Sequence, residues 1–190
     1  MSSDIRSLTF DLRGADVRAK WLVTCLLATF GLAYGFGGVM VALYAGFTPA
    51  RVAATYAGPP MAMPMPPDTT VVTTRPVTMS DFAQPEVHTV DRDLLIQDTH
   101  VHVPMYGVIA ALLSVIVLGT GLSPRAGVGL ITLVFAAPWL DFAGMWLTKY
   151  AAPQFAIVTL IGGWAMGAGY LLVTAAAVRR MWFARPGVTP

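Results

Sequence analysis

The sequence predicts an all-α integral membrane protein, a bundle of four transmembrane helices with a long, partly extended outer loop. Hydrophobic residues make up 56% of the chain and charged residues only 12%, which is atypical of a soluble domain. The apolar residues also form four blocks, each about as long as a helix that crosses about 30 Å of hydrocarbon. Helices are favoured over open strands because lipid offers backbone amides no hydrogen-bond partners.

The four blocks divide the chain into alternating spans and connections. The predicted elements are a cytoplasmic segment (1–20), TM1 (21–46), an extracytoplasmic loop (47–102), TM2 (103–122), a cytoplasmic turn (123–127), TM3 (128–148), an outer turn (149–154), TM4 (155–178) and a cytoplasmic tail (179–190). The first block is longer than the apolar core of a signal peptide, which has roughly 7–15 residues. We therefore expect it to be a membrane anchor.

Basic residues predict the orientation. Eight of the twelve lysines and arginines lie in 1–20, 123–127 and 179–190, and four lie on the other side. The positive-inside rule then places both termini in the cytoplasm and loop 47–102 in the periplasm or outside the cell. We expect a bacterial inner membrane. The net charge of +2 comes from these flanks, which favours contact with anionic lipid and no binding of nucleic acid.

The outer loop begins with a stretch rich in proline and methionine, 57–67, which predicts extended backbone. Segments 69–78 and 87–97 are rich in Val, Thr and Ile and could pair as two short strands. Two strands are marginally stable alone, so we expect the loop to lie against the helices or a partner protein.

Small residues recur at spacings of three and four in two of the spans. They include Gly31, Gly35 and Gly38 in TM1 and Gly163 and Gly167 in TM4. Such a stripe lets helix backbones approach closely, because packing drives helix association in lipid. The alternative is a groove that admits a flat cofactor or a lipid tail.

TM3 carries aromatic residues at helical spacing. They are Phe135, Trp139, Phe142, Trp146 and Tyr150. Such a stripe is typical of a face turned to lipid or to a neighbouring subunit, and less often to a pigment, quinone or haem. The opposite face, which includes Asp141, is expected to point into the bundle.

Two histidines lie at the start of TM2, in the segment from Asp98 to Pro104. If Pro104 is the first helical residue, His100 and His102 lie in extended backbone and share one side, where they could chelate a transition metal. If the helix starts near Thr99, their rings diverge by about 200° and only one can face the bundle. A third interpretation makes them interfacial histidines hydrogen-bonded to headgroups or loop backbone.

The loop adds further candidate ligands. Met61, Met63 and Met65 alternate with other residues, and thioethers suit Cu(I). His88 could join them. The alternative is that these methionines fill an irregular contact surface.

Asp141 is the acid that lies inside an apolar block. A carboxylate is costly in hydrocarbon, so such residues usually face the bundle and serve a function. Asp141 could relay protons, support a metal ligand or bind a metal itself. The alternative is a structural hydrogen bond to Trp, Tyr, Thr or the backbone of TM4.

The sequence from His100 to Arg125 resembles a known helix. His100, His102, Gly107 and the closing Pro124-Arg125 are similar to the His-x-His-x4-Gly helix of small membrane proteins related to haem-copper oxidase subunit I. This resemblance implies that His100 and His102 are candidate haem or copper ligands. The chain departs from that pattern because it lacks the aromatic residue after the glycine and a later helix histidine.

Two functions follow as hypotheses. The leading one is a membrane subunit of an electron-transfer or metal-dependent oxidising complex, with copper or haem bound at its outer face by His and Met. The other is a cofactor-free supernumerary structural subunit. Both predict other membrane subunits as partners besides the lipid bilayer. A hydrolase is not supported, because the sequence shows no nucleophile–base pair and no zinc-protease motif.

Overall fold

A computed structural model of the chain describes residues 10–58 and 89–184. These residues form five α-helices and no strand. In chain order they are α1 (Val17–Met40), α2 (Pro49–Ala57), α3 (Arg92–Leu118), α4 (Pro124–Tyr150) and α5 (Ala156–Val178). Single turns of π-helix follow α1 (Val41–Ala45) and α5 (Arg179–Phe183), and a 3₁₀ turn (Pro153–Phe155) precedes α5.

Four of these helices are long and apolar enough to cross a membrane. The spans are Val17–Ala45, Arg92–Leu118, Pro124–Tyr150 and Pro153–Phe183, of 27 to 31 residues each. The predicted fold class, a four-helix membrane protein, is therefore confirmed. The short helix α2 lies in the loop after the first span, and the sequence analysis did not predict it.

Local sequence explains where three helices begin. Asp91 precedes α3 and its carboxylate accepts a hydrogen bond of 2.7 Å from the backbone N–H of Leu94. Thr48 and Ser123 cap α2 and α4 in the same way, each followed by a proline at the first helical position. The first span ends at Gly46, whose φ of +73° is accessible to glycine at little cost.

The second span begins earlier than predicted. The helix α3 starts at Arg92 rather than at residue 103 and runs through Pro104. A strand over 87–97 is therefore wrong for residues 92–97, because the Asp91 cap starts a helix there. Similarly, α4 starts at Pro124 rather than at 128. Segment 69–78, most of the proline-rich stretch 57–67 and His88 lie outside the described residues.

The helices α4 and α5 make the closest contact in the fold. A Cβ atom on Gly162 would lie 2.6 Å from the Cα of Asp141, and one on Gly144 would lie 2.8 Å from the Cα of Thr159. Both glycines therefore allow backbone to meet backbone. The predicted inward face of TM3 is also confirmed, since Val134, Ala137, Pro138, Gly144, Met145 and Thr148 are all buried.

The predicted packing glycines differ from the ones that the fold uses. Of the five, only Gly31 lies under a neighbour, the hydroxyl of Tyr170. A Cβ atom at any of the other four would meet no described residue within 4 Å: Gly35, Gly38, Gly163 and Gly167. No described residue packs on these four positions, so close approach of another segment there stays a prediction.

Candidate functional site

Ionisable side chains from α2, α3 and α4 meet at one end of the bundle, which we call the α2 end. It consists of α2, the first four turns of α3 and the last three turns of α4. Asp141 of α4 lies close enough to Asp98 and His102 of α3 to interact with both electrostatically. Tyr56 of α2 and Tyr106 of α3 lie near the Asp141 and Asp98 carboxylates as well. These five residues form the candidate site.

Asp98 and His102 are paired because four residues along a helix return to the same face. The Nδ1 atom of His102 lies 2.9 Å from the Asp98 carboxylate and 2.9 Å from the Asp98 backbone oxygen. Both neighbours are acceptors, so we assign the imidazole proton to Nδ1. The Nε2 atom then has a free lone pair, as in histidines whose other nitrogen is oriented for metal binding or proton exchange.

His100 does not join His102. Because α3 is helical through this segment, the two rings diverge by about 200°, as expected for a helix that starts before them. His100 is exposed and His102 is half-buried. Within residues 10–58 and 89–184 no three His, Cys, Asp or Glu side chains come close enough to hold one metal ion. The shared-side geometry predicted from a helix beginning at Pro104 is therefore wrong.

The other predicted ligands cannot be compared with this site. Met61, Met63, Met65 and His88 all lie outside the described residues. The predicted His and Met ligand set therefore stays a prediction, and its described members are His100 and His102.

Asp141 points into the bundle from the middle of a span. Nine residues separate it from Tyr150 at the end of α4, about 14 Å along a helix. Its electrostatic neighbours are Asp98 and His102, and among the described residues none donates a hydrogen bond to its carboxylate. The alternative of a hydrogen bond from its side chain to α5 is not observed. Instead its backbone packs on Gly162.

Two tyrosines complete the site. Tyr56 packs against the buried residues Leu95, Phe142 and Met145. Burial raises the pKa of Tyr56 far above its ordinary value, and the Asp141 and Asp98 charges add to this effect. Tyr56 therefore keeps its proton and remains a hydrogen-bond donor. The ring of Tyr106 lies 5.9 Å from that of His102.

Sequence reasoning missed both tyrosines. Tyr106 could have been found, because it follows His102 by four residues on the same helix. Tyr56 gives no signal in the sequence, since it reaches the site only when α2 folds back against α4 and α5.

Two hydrogen bonds from α4 hold α3 and the segment just before it at this end. The indole Nε1 of Trp146 donates to the Thr99 hydroxyl at 3.0 Å. The Lys149 ammonium donates to the backbone oxygen of Val90, whose N–H in turn donates to Thr55 of α2 at 2.8 Å. The position of Asp98 and His102 is therefore fixed from both neighbouring helices.

The aromatic stripe of α4 is divided by these contacts. Phe142 is buried and Trp146 is half-buried, which corrects the prediction that the whole stripe forms an outer face. Phe135, Trp139 and Tyr150 are exposed, Trp139 to 65%. An apolar cavity of about 310 Å³ lies beside Trp139, between α3 and α4.

Comparison with known proteins agrees with the architecture. A family described as a transmembrane helical domain matches residues 46–187, which include the whole candidate site. No curated protein and no solved structure matches the chain. On the strength of a match that covers well over half of its length, the chain belongs to this family of transmembrane helical domains.

Proposed function

We propose that the chain is a membrane subunit of an electron-transfer or metal-dependent oxidising complex, in which His102 and Asp141 handle protons. The observation that carries this proposal is the proximity of Asp141, an acid within a membrane span, to an imidazole with a free Nε2. A carboxylate in hydrocarbon is costly, and its usual roles there are in proton or ion pathways.

The arrangement supports a short proton path from the end of the bundle inward. The side chains of Asp98 and His102 are each about 40% exposed, so both lie at the entrance of this path. When no metal is bound, the Nε2 lone pair of His102 is the first proton acceptor of this path. Asp141 lies deeper and offers the next acceptor. Tyr56 keeps its own proton and is not a carrier in this path.

Where copper or haem is present, the Nε2 lone pair of His102 would bind it in place of a proton, so the two proposed roles of this histidine alternate and do not coincide. Its Nε2 atom would bind the group, together with Met61, Met63, Met65 or His88 from the loop. His100 belongs to the opposite face of α3 and has no part in this ligand set. The resemblance to the His-x-His helix of proteins related to haem-copper oxidase subunit I supports this assignment for His102.

The metal proposal is tested on the full chain purified from its membrane. Metal analysis and oxidised-minus-reduced absorption spectra would detect copper or haem. His102→Ala is expected to abolish the metal content and the spectrum, whereas the matched variant His100→Ala keeps both. A cofactor that survives in His102→Ala contradicts the assignment, and a purified wild-type chain with neither metal nor haem rejects it.

The proton role has its own test. In membranes that hold the assembled complex, a pH-sensitive dye follows the uptake of protons while the complex oxidises its electron donor. Asp141→Asn is expected to slow the uptake by at least about 100-fold, the lower range for removing a positioned acid or base. Asp141→Glu should restore part of it. Equal uptake in the wild type and in an assembled Asp141→Asn complex contradicts the role.

The structure also favours a second candidate, a structural subunit without a cofactor. The first span exposes most of its surface, including the open glycines Gly35 and Gly38. These positions would let a helix of another subunit approach closely. In this case the chain copurifies with a larger complex at a fixed ratio and without a cofactor. Gly35→Leu and Gly38→Leu lower that ratio, and an unchanged ratio in both variants excludes this interface.

A further inference from the structure

The opposite end of the bundle, which we call the arginine end, contains a cavity of about 870 Å³ between the first turns of α4 and the last turns of α5. Arg13 and the turn from Thr120 to Leu122 also line it. This volume lies within the range of about 300–1,000 Å³ that is typical of ligand sites. The cavity lies at the other end of the spans from the candidate site.

The wall of this cavity carries excess positive charge. Its charged residues are Arg13, Arg179 and Arg180. Arg180 is already paired, since its Nε and a terminal nitrogen donate to the two Asp11 carboxylate oxygens at 2.9 and 2.8 Å. In the described parts of the chain no carboxylate lies within 4.0 Å of the Arg13 or Arg179 guanidinium. Asp11 also interacts electrostatically with Arg13, so its one negative charge offsets one of the three positive charges, and a net charge of +2 remains for an anion.

The floor of the cavity is apolar. Leu130 and Leu133 of α4 face Leu172 of α5, and small residues beside them leave the space open: Gly129, Ala175 and Ala176. Leu133 follows Ala126 at the mouth by seven residues, so the floor extends about 10 Å along the helix axis. An occupant therefore needs an anionic head and an apolar tail.

We propose that this cavity binds an anionic phospholipid, with its phosphate against Arg13 and Arg179 and an acyl chain along Leu130, Leu133 and Leu172. Guanidinium groups bind phosphate through paired, charge-assisted hydrogen bonds. Basic pockets between transmembrane helices suit acidic headgroups in the same way. Inorganic phosphate would satisfy the arginines but make no contact with the leucine floor. The Asp11–Arg180 pair holds one wall in place.

The test measures phosphatidylglycerol binding to the full chain in detergent by native mass spectrometry. Arg13→Gln and Arg179→Gln are each expected to weaken binding about fivefold, and the double variant about 25-fold. Arg18→Gln is the matched control, since Arg18 is exposed at the same end, outside the cavity. Unchanged affinity in the double variant overturns the proposal, and so does an equal loss in Arg18→Gln.

A second variant tests the tail. A Cβ atom at Gly129 meets nothing within 4 Å, so Gly129→Leu fits α4 and fills the floor. It is expected to weaken phosphatidylglycerol binding about tenfold, from lost acyl contacts, and to leave the binding of inorganic phosphate unchanged. If Gly129→Leu binds phosphatidylglycerol like the wild type, and inorganic phosphate competes as well as the lipid does, the site takes a soluble anion and the proposal fails.

Discussion

The first span and the α4–α5 pair use glycine in opposite ways. Within its most apolar window, 11% of the first span is buried inside the protein, against 39% of the third span. Gly144 of α4 and Gly162 of α5 bring two backbones together, whereas no described residue packs on Gly35 or Gly38 of α1. Glycine spacing alone therefore does not reveal contact. A glycine makes such a contact only where another helix of this chain lies on the face that carries it.

The largest expected effect comes from Gly162 of α5, and its neighbour Gly163 provides the control. Gly162→Ala would force a methyl group into the backbone of Asp141, so we expect the free energy of unfolding to fall by about 1–3 kcal/mol. Gly163→Ala places the same methyl group in open space and is the control. Thermal unfolding in detergent compares the two. Equal stability of both variants would mean that α4 and α5 do not depend on this close approach.

The hydroxyl of Tyr170 gives a smaller effect that is specific to the first span. It donates a hydrogen bond of 2.7 Å to the backbone oxygen of Leu27 and lies over Gly31. Tyr170→Phe should cost about 0.6 kcal/mol, the average for hydrogen bonds between membrane helices. The loss should loosen α1 and leave α4 and α5 unchanged.

Hydrogen exchange resolved by helix measures this difference. Tyr34→Phe is the control, because the Tyr34 ring stacks on Tyr170 at 5.0 Å and the substitution keeps that ring. Faster exchange spread evenly over all four spans would contradict a local role for the Tyr170 hydroxyl.

The sequence was sufficient for the spans because apolar length is a direct physical requirement of the bilayer. It was insufficient for the start of α3, where two signals compete. Pro104 indicates a helix start, but Asp91 caps a helix twelve residues earlier, and a proline inside a membrane helix is tolerated. That choice decides whether His100 and His102 share a side.

The candidate site shows the same limit. Asp141 was found because an acid stands out in an apolar block, and its inward direction followed from the helical period. Tyr56 was not found, because its approach to Asp141 depends on how α2 folds back in three dimensions. Periodicity predicts the face on which a residue lies, but the partner on that face is set by tertiary packing.

The smallest expected effect concerns the attachment of the N-terminal segment at the arginine end. The Arg180 guanidinium beside Asp11 holds the pKa of that carboxyl below its usual value. Since the folded-state pKa is lowered, the pair stabilises the fold above about pH 4, the unfolded value, and loses this effect as pH falls through the folded pKa. Both side chains are partly exposed, so the contribution should be less than about 1 kcal/mol.

Asp11→Asn tests this contribution directly. Unfolding of the wild type and the variant is compared at neutral pH and at pH values below the lowered pKa of Asp11. The stability difference should be present at neutral pH and vanish in acid, where the wild-type carboxyl is protonated. Asp16→Asn is the control, because Asp16 and Arg18 are both highly exposed and 4.0 Å apart. A difference that persists in acid would mean that Asp11 stabilises the fold through the hydrogen bond that it accepts from the backbone N–H of Arg13, and not through its charge.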